Sequence, residues 1–293
     1  MADILTISNL CKSFKDFELS NMNLHVAEGG VTGFIGSNGA GKTTTIKLVL
    51  GLMRPNSGRI ELFGQQSGPE GPSADIKQRI GVVFDTCPFP TELSIANVGE
   101  LGARTMVSWD KSAFDTFCER FSLPAAKRVK ELSRGMGMKL QLAFAFAHSP
   151  QLLILDEATA GLDPLAREEV LGILREYISE GSRGILISSH ITSDLEKIAD
   201  WIVCIDKGRL VFEKTTEDIC DLAGIARCRA SEAAALTESG LFEAGSLHVL
   251  QRGYSTDVLV PDRAALRMAF PDITCDRASI EDYMALVLEG ERR

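Results

Sequence analysis

Eight consecutive residues constrain this chain more than any others. Gly36-Ser37-Asn38-Gly39-Ala40-Gly41-Lys42-Thr43 match the pattern GxxxxGK[ST]. The apolar run Val31–Ile35 before them reads as a buried strand, and Thr44-Thr45-Ile46-Lys47-Leu48-Val49-Leu50 after them reads as a helix. Strand, glycine loop and helix start, in that order, form the context in which the pattern binds phosphate. Glycines let the backbone wrap tightly around an anion, and the unpaired N–H groups of the helix start point at it. Lys42 is expected to reach the β- and γ-phosphates of a bound ATP, Thr43 to ligate Mg²⁺ and Thr44 to touch the α-phosphate. The bland alternative is a glycine-rich turn that happens to precede a helix, and the full match in strand context argues against it.

With 293 residues, the chain can bury a full core and has room for one large domain or one and a half. Hydrophobic content of 45% and charged content of 24% are those of an ordinary globular protein. A net charge of −9, with no basic patch interleaved with aromatics, argues against nucleic acid as a partner. The seven cysteines are odd in number and scattered without a CxxC pair, which fits free thiols in a reducing cytosol. The first residues, Met-Ala-Asp-Ile-Leu-Thr, lack a basic segment followed by an apolar core, so no signal peptide is expected. No apolar stretch approaches the roughly 20 residues that span a bilayer. The expectation is a cytoplasmic chain whose membrane role comes through a partner.

Taken in order, residues 3–14 and 17–26 alternate like strands, and a turn at Glu28-Gly29-Gly30 leads into the phosphate-loop strand. A turn cluster, Arg54-Pro55-Asn56-Ser57-Gly58, precedes a short strand at 59–63 and a polar loop at 65–73. A short helix and a strand at 80–84 follow. From Asp85 to about Pro150 the pattern turns helical. Ser94 caps a helix through Met106, a second helix runs near 111–121, and Ser133 starts a third at 134–147. Strand character returns at 152–155. Asp163 caps a helix with Pro164 at its first position, running to about Ser179. A strand at 184–188, a helix at 192–199, a strand at 201–205 and a hairpin into 210–213 complete the pattern. Beyond Lys214, short alanine-rich helical pieces alternate with strands at 246–251 and 257–260, a small appended α+β region.

Leu152-Leu153-Ile154-Leu155 ends in Asp156-Glu157, an acidic strand end downstream of the phosphate loop. Phosphoryl transfer to water needs a metal, a positioned water and stabilisation of the leaving phosphates. Asp156 is expected to hold Mg²⁺ through its water shell, and Glu157 to accept a proton from the attacking water.

At these residues the sequence resembles the ATP-binding-cassette ATPases, the nucleotide-binding subunits of ABC transporters, over roughly residues 3–215. Leu132-Ser133-Arg134-Gly135-Met136 stands at the family's LSGGQ signature. Ala160-Gly161-Leu162-Asp163 stands at its D-loop, and His190, after Ser188-Ser189, at its switch histidine. Phe14 falls where the family stacks an aromatic on adenine. The resemblance implies that Ser133, Arg134 and Gly135 meet ATP bound by the other subunit, that Asp163 serves the D-loop, and that His190 contacts the γ-phosphate. Core aromatic, structural histidine and helix cap are the plain readings of Phe14, His190 and Ser133.

Three departures stand out. Val82-Val83-Phe84-Asp85 has a carboxylate where the family has its Q-loop glutamine, so Asp85 is expected either to ligate Mg²⁺ or to repel the γ-phosphate. Arg134 and Met136 replace a glycine and a glutamine of the signature, and Ala158 replaces a proline. Similar combinations occur in bacterial drug, peptide and antibiotic-response exporters.

The resemblance implies an α/β fold with a P-loop NTPase core of RecA-like type. Around it stand an N-terminal antiparallel β subdomain, an α-helical signature subdomain at about 86–150 and a small C-terminal α+β extension. Residues 1–215 form the ATPase domain and 216–293 an accessory domain. The implied function is an ATP-hydrolysing exporter subunit, peripheral to the inner face of the cell membrane. It would drive a separate transmembrane permease by ATP-dependent dimerisation, as a homodimer or a heterodimer with a paralogue. An importer ATPase, a regulatory ATP clamp poor in hydrolysis and a soluble non-transport ABC ATPase are the alternatives.

Overall fold

The computed structural model describes residues 2–253 and 255–293. The chain opens with two long antiparallel strands, β1 (Asp3–Ser13) and β2 (Glu18–Ala27), with Ile7 opposite Leu24. β3 (Val31–Ile35) is buried at every position and leads through the phosphate loop into α1 (Lys42–Val49). β4 (Ser57–Leu62) pairs with β1, and β5 (Gln65–Gln66) with β4, closing a four-stranded antiparallel sheet in the order β2-β1-β4-β5. The short α2 (Ala74–Gln78) precedes β6 (Ile80–Val83).

The helical insertion follows, as α3 (Ile95–Thr105), α4 (Lys111–Arg120) and α5 (Arg134–Phe146). Each begins at a side-chain cap. Ser94 accepts from the Asn97 amide, Asp110 from that of Ala113 and Ser133 from that of Met136, each supplying an acceptor to an otherwise orphaned N–H. β7 (Leu152–Asp156), α6 (Pro164–Ser179) and β8 (Gly184–Ser188) then return the chain to the sheet. Asp163 caps α6 by accepting from the amides of Leu165 and Ala166.

β3, β8, β7 and β6 run parallel in that order. β3, β7 and β8 are buried along their whole length and are mostly Val, Ile, Leu and Phe, as strands covered on both faces require. The strand expected at 80–84 stops at Val83. Phe84 leaves the sheet ladder because its N–H donates to Gln141 Oε1 at 2.9 Å and its carbonyl accepts from Gln141 Nε2 at 3.0 Å. A buried amide on α5 thereby takes over both backbone groups of the residue before Asp85.

α7 (Thr192–Ile198), β9 (Trp201–Asp206) and β10 (Arg209–Thr215) come next. A turn of π-helix, Asp218–Leu222, leads to β11 (Gly224–Cys228), α8 (Ala230–Glu238), β12 (His248–Arg252) and β13 (Ser255–Val260). α9 (Arg263–Ala269), β14 (Thr274–Arg277), α10 (Ile280–Glu289) and β15 (Glu291–Arg292) finish the chain. The sheet order β14-β11-β13-β12-β15 is antiparallel throughout, and β11 to β14 with α8 and α9 make a βαββαβ unit of split type.

One face of this last sheet buries Ala226, Cys228, Val258 and Val260 against Leu236 of α8 and Leu266 of α9. The other buries Ile225 and Leu259 against Leu286 of α10. The strands expected at 246–251 and 257–260 are β12 and β13, while β11 and β14 were not expected from sequence. The chain divides into two compact units, residues 1–191 with 205–210 and residues 192–204 with 211–293. All seven cysteines are free thiols.

Candidate nucleotide-binding site

The carboxyl ends of the parallel strands deliver the site, as open α/β sheets do. β3 ends at the phosphate loop, β7 at Asp156, β8 two residues before His190, and β6 two residues before Asp85. The loop itself depends on glycine. Gly36 has φ +153°, and a Cβ there would stand 2.1 Å from the Ile205 carbonyl oxygen, so no larger residue fits. The loop is braced from residues 205–210, where Ser37 Oγ donates to Asp206 Oδ1 at 2.9 Å and the Gly208 N–H to the Ala40 carbonyl at 2.9 Å.

A cleft of about 610 Å³ lies over this loop, within the range of small-molecule sites. Phe14 and Phe17 line it with their rings 6.1 Å apart. Asn38, Gly39, Ala40, Gly41, Lys42, Thr43 and Thr44 form its floor, and Asp85, Arg134, Glu157, Ala160 and His190 complete it. Most of the expected nucleotide residues therefore converge. Gly36 and Ser37 do not line the cleft: the Gly36 carbonyl turns to Lys42 and Ser37 to Asp206. Ser133, Gly135 and Asp163 do not line it either. Ser133 and Asp163 cap their helices, and Gly135 faces Leu162.

Lys42 is only 7% exposed, and its ammonium donates to the Gly36 carbonyl at 2.7 Å and the Ser37 carbonyl at 3.3 Å. Its Nζ also stands 3.8 Å from Glu157 Oε1. Asp156, 3% exposed, accepts from Thr43 Oγ1 at 2.9 Å and from Ser188 Oγ at 3.0 Å. Burial raises its proton affinity, and the two hydroxyl hydrogen bonds only partly offset that. A buried carboxylate beside a threonine hydroxyl is a pair of hard oxygen donors of the kind that would hold a Mg²⁺ ion. The residues fit that ion.

Glu157 holds φ at +56°, a left-handed conformation that costs a non-glycine residue about 1–3 kcal/mol. Two residues fix it there. Its N–H donates to the Ser188 carbonyl at 3.0 Å, and its Oε2 meets His190 Nδ1 at 2.5 Å and the His190 N–H at 3.3 Å. Its other oxygen faces Lys42. A carboxylate so oriented can take a proton from a water held over the loop.

Asp85 and Arg134 are ion-paired to each other on the rim. Ala160 entered the sequence reading only as the start of the D-loop motif, and Phe17 and Gln141 were not singled out. Phe17 did carry a signal, as a second aromatic three residues after Phe14.

The ABC transporter family profile matches residues 19–160. Over 216 residues the chain is 36% identical to the bacitracin transport ATP-binding protein BcrA of Bacillus licheniformis, covering 73% of this chain and 70% of that one. It is also 36% identical over 214 residues to the lantibiotic transport ATP-binding protein SrtF of Streptococcus pyogenes, covering 72% and 90%. Among solved structures, one described as the ATP binding subunit of an ABC transporter superposes with a TM-score of 0.67 at 29% identity, covering 74% of this chain and 91% of that one. The chain belongs to the ATP-binding subunits of ABC transporters, and it is an ATPase of that family.

Proposed function

We propose that this chain is the ATP-hydrolysing motor of a bacterial exporter, with Lys42, Asp156, Glu157 and His190 as its working residues. The observation that carries the reading is the meeting of three groups at one cleft: the Lys42 ammonium, Thr43 with Asp156 buried behind it, and the Glu157–His190 pair. Phe14 and Phe17 stack the adenine. The phosphate loop and the first-turn N–H groups of α1 hold the phosphates, with Lys42 exchanging its carbonyl partners for phosphate oxygens. Thr43 and Asp156 would hold Mg²⁺, which would supply positive charge against the phosphates. Glu157 accepts the proton of the attacking water, and His190 keeps its carboxylate aimed and meets the γ-phosphate.

Ser133, Gly135 and Asp163 lie off this chain's own cleft, which suits service to nucleotide on a second copy or a paralogue. ATP then joins two subunits and hydrolysis releases them, a population shift set by the higher affinity of the closed state for ATP. Among the described residues no helix is long and apolar enough to cross a membrane. Relatives described as transport ATP-binding proteins support a separate permease as the transport path, docked on the helical insertion and the Asp85 loop, with this chain at the inner membrane face. Export is favoured over import by the bacitracin and lantibiotic transport proteins among its relatives. Residues 1–215 carry the motor and 216–293 an accessory role.

The test is phosphate release by the purified chain beside Glu157→Gln, with particle mass followed in ATP. The variant should lose at least about 100-fold in turnover while accumulating an ATP-bound dimer. Turnover within a few-fold of the parent would remove Glu157 as the base.

A further inference from the structure

The signature residues do not stay together in space. Ser133 and Gly135 are off the cleft, but Arg134 lines this chain's own cleft beside the phosphate loop, Glu157 and His190. Its stem crosses the D-loop at Gly161, where a larger residue would crowd it. A Cβ on Gly161, where φ is +78°, would stand 3.1 Å from Arg134 Cδ and 3.4 Å from its Nε. Beyond that crossing the guanidinium ends on Asp85.

Both partners are held on one frame. Arg134 is the first residue of α5 behind the Ser133 cap, and Asp85 follows Phe84, whose N–H and carbonyl both bind Gln141 of the same helix. Arg134 and Asp85 are each about half exposed, at 53% and 49%, a setting in which an ion pair adds little to stability. A guanidinium also has five N–H donors in a fixed fork, more than one carboxylate uses. A triphosphate in the cleft brings more charge and more acceptor oxygens to the same fork.

We infer that Arg134 binds the terminal phosphates of the nucleotide held by its own chain, exchanging Asp85 for phosphate when a nucleoside triphosphate enters. The inference rests on the phosphate-loop reading given above. Asp85 is the resting partner: it keeps the guanidinium aimed along the rim, and its attraction must be overcome when nucleotide binds. A diphosphate presents fewer oxygens at that end, so the contact favours ATP over ADP. Arg134 in this role acts in cis, in contrast to Ser133 and Gly135.

The test is equilibrium binding of ADP and of a non-hydrolysable ATP analogue to the full chain, diluted until mass measurement shows only monomer. Arg134→Ala should weaken the triphosphate about tenfold and ADP by less than about twofold. Arg134→Lys should fall between, keeping charge but losing the fork. Asp85→Asn should tighten the triphosphate about threefold by freeing the guanidinium. If Arg134→Ala leaves the triphosphate-to-diphosphate ratio of the monomer unchanged and alters only ATP-driven dimerisation, the residue acts in trans and the inference is wrong. A weaker triphosphate complex in Asp85→Asn would also overturn it. A parent chain that binds neither nucleotide takes down the phosphate-loop reading together with this one.

Discussion

Lys42, in the floor of the cleft, and Asp156, buried behind Thr43, are 7% and 3% exposed, whereas Arg134 and Asp85 on its rim are each about half exposed. All four are charged residue types, and all four have polar partners. On the buried side, burial makes each hydrogen bond obligatory, because an unpaired buried charge costs several kcal/mol. Lys42 is tied to two carbonyls and Asp156 to two hydroxyls, and the proton affinity of Asp156 is raised by the same burial. On the rim, water competes for every contact, and the ion pair can be exchanged at little cost. The buried side is therefore suited to holding charge in place and the rim to changing partners.

The sharpest way to break this comparison is at Lys42. Lys42→Ala should weaken ATP binding about 100-fold, since it removes a charge-assisted contact on the buried side of the site. Isothermal titration checks this, and a loss under tenfold would place the buried side no deeper than the rim. Gln141→Leu should cost about 2 kcal/mol in urea unfolding, because both backbone groups of Phe84 lose their partner. It should also loosen the loop that carries Asp85, seen as faster amide exchange at residues 84–87. Ser133→Ala should cost about 1 kcal/mol locally, read as roughly fivefold faster exchange in the first turn of α5.

A pH dependence separates the regions further. His148 is 2% exposed between the carbonyls of Phe144 and Ile80, and burial pushes its pKa below the ordinary histidine value of about 6.5. The unfolded chain thus takes up this proton at higher pH than the folded one. The contribution is full above about pH 6.5 and is lost as pH falls through that range toward the depressed folded value. His148→Gln should flatten the stability difference between pH 7.5 and 5.5, compared by urea titration. The smallest effect belongs to the rim, where Asp85→Asn should change unfolding free energy by less than about 0.5 kcal/mol. A cost above 2 kcal/mol there would make the pair a structural element and end the contrast.

Legibility along the chain follows the same physics. The phosphate loop and the three caps Ser94, Ser133 and Asp163 were readable because each rests on contacts a few residues apart, and the buried strands because their apolar runs are continuous in sequence. Asp110 as the cap of α4 follows the same rule but was not singled out. Phe84 and Arg134 were harder. Nothing local says that Gln141, 57 residues away, will take Phe84 out of its strand, or that Arg134 will cross Gly161 to reach Asp85. The C-terminal unit was the least legible part. Its β11 and β14 are short and are defined by pairing with each other across 46 residues or more of chain, as Gly224 with Arg277.

By itself the sequence determined that a strand, a glycine loop and a helix start would cradle phosphate, that a buried strand would end in two carboxylates, and that helices would begin at particular caps. These are consequences of backbone geometry and short-range hydrogen bonding. Only the tertiary structure decided that Glu157 is held at positive φ by Ser188 and His190, that the last 70 residues make a split βαββαβ unit, and that Arg134 faces this chain's own cleft. Such features depend on which strands lie side by side and which glycines leave room, and the free energy that selects them is spread over contacts distant in sequence.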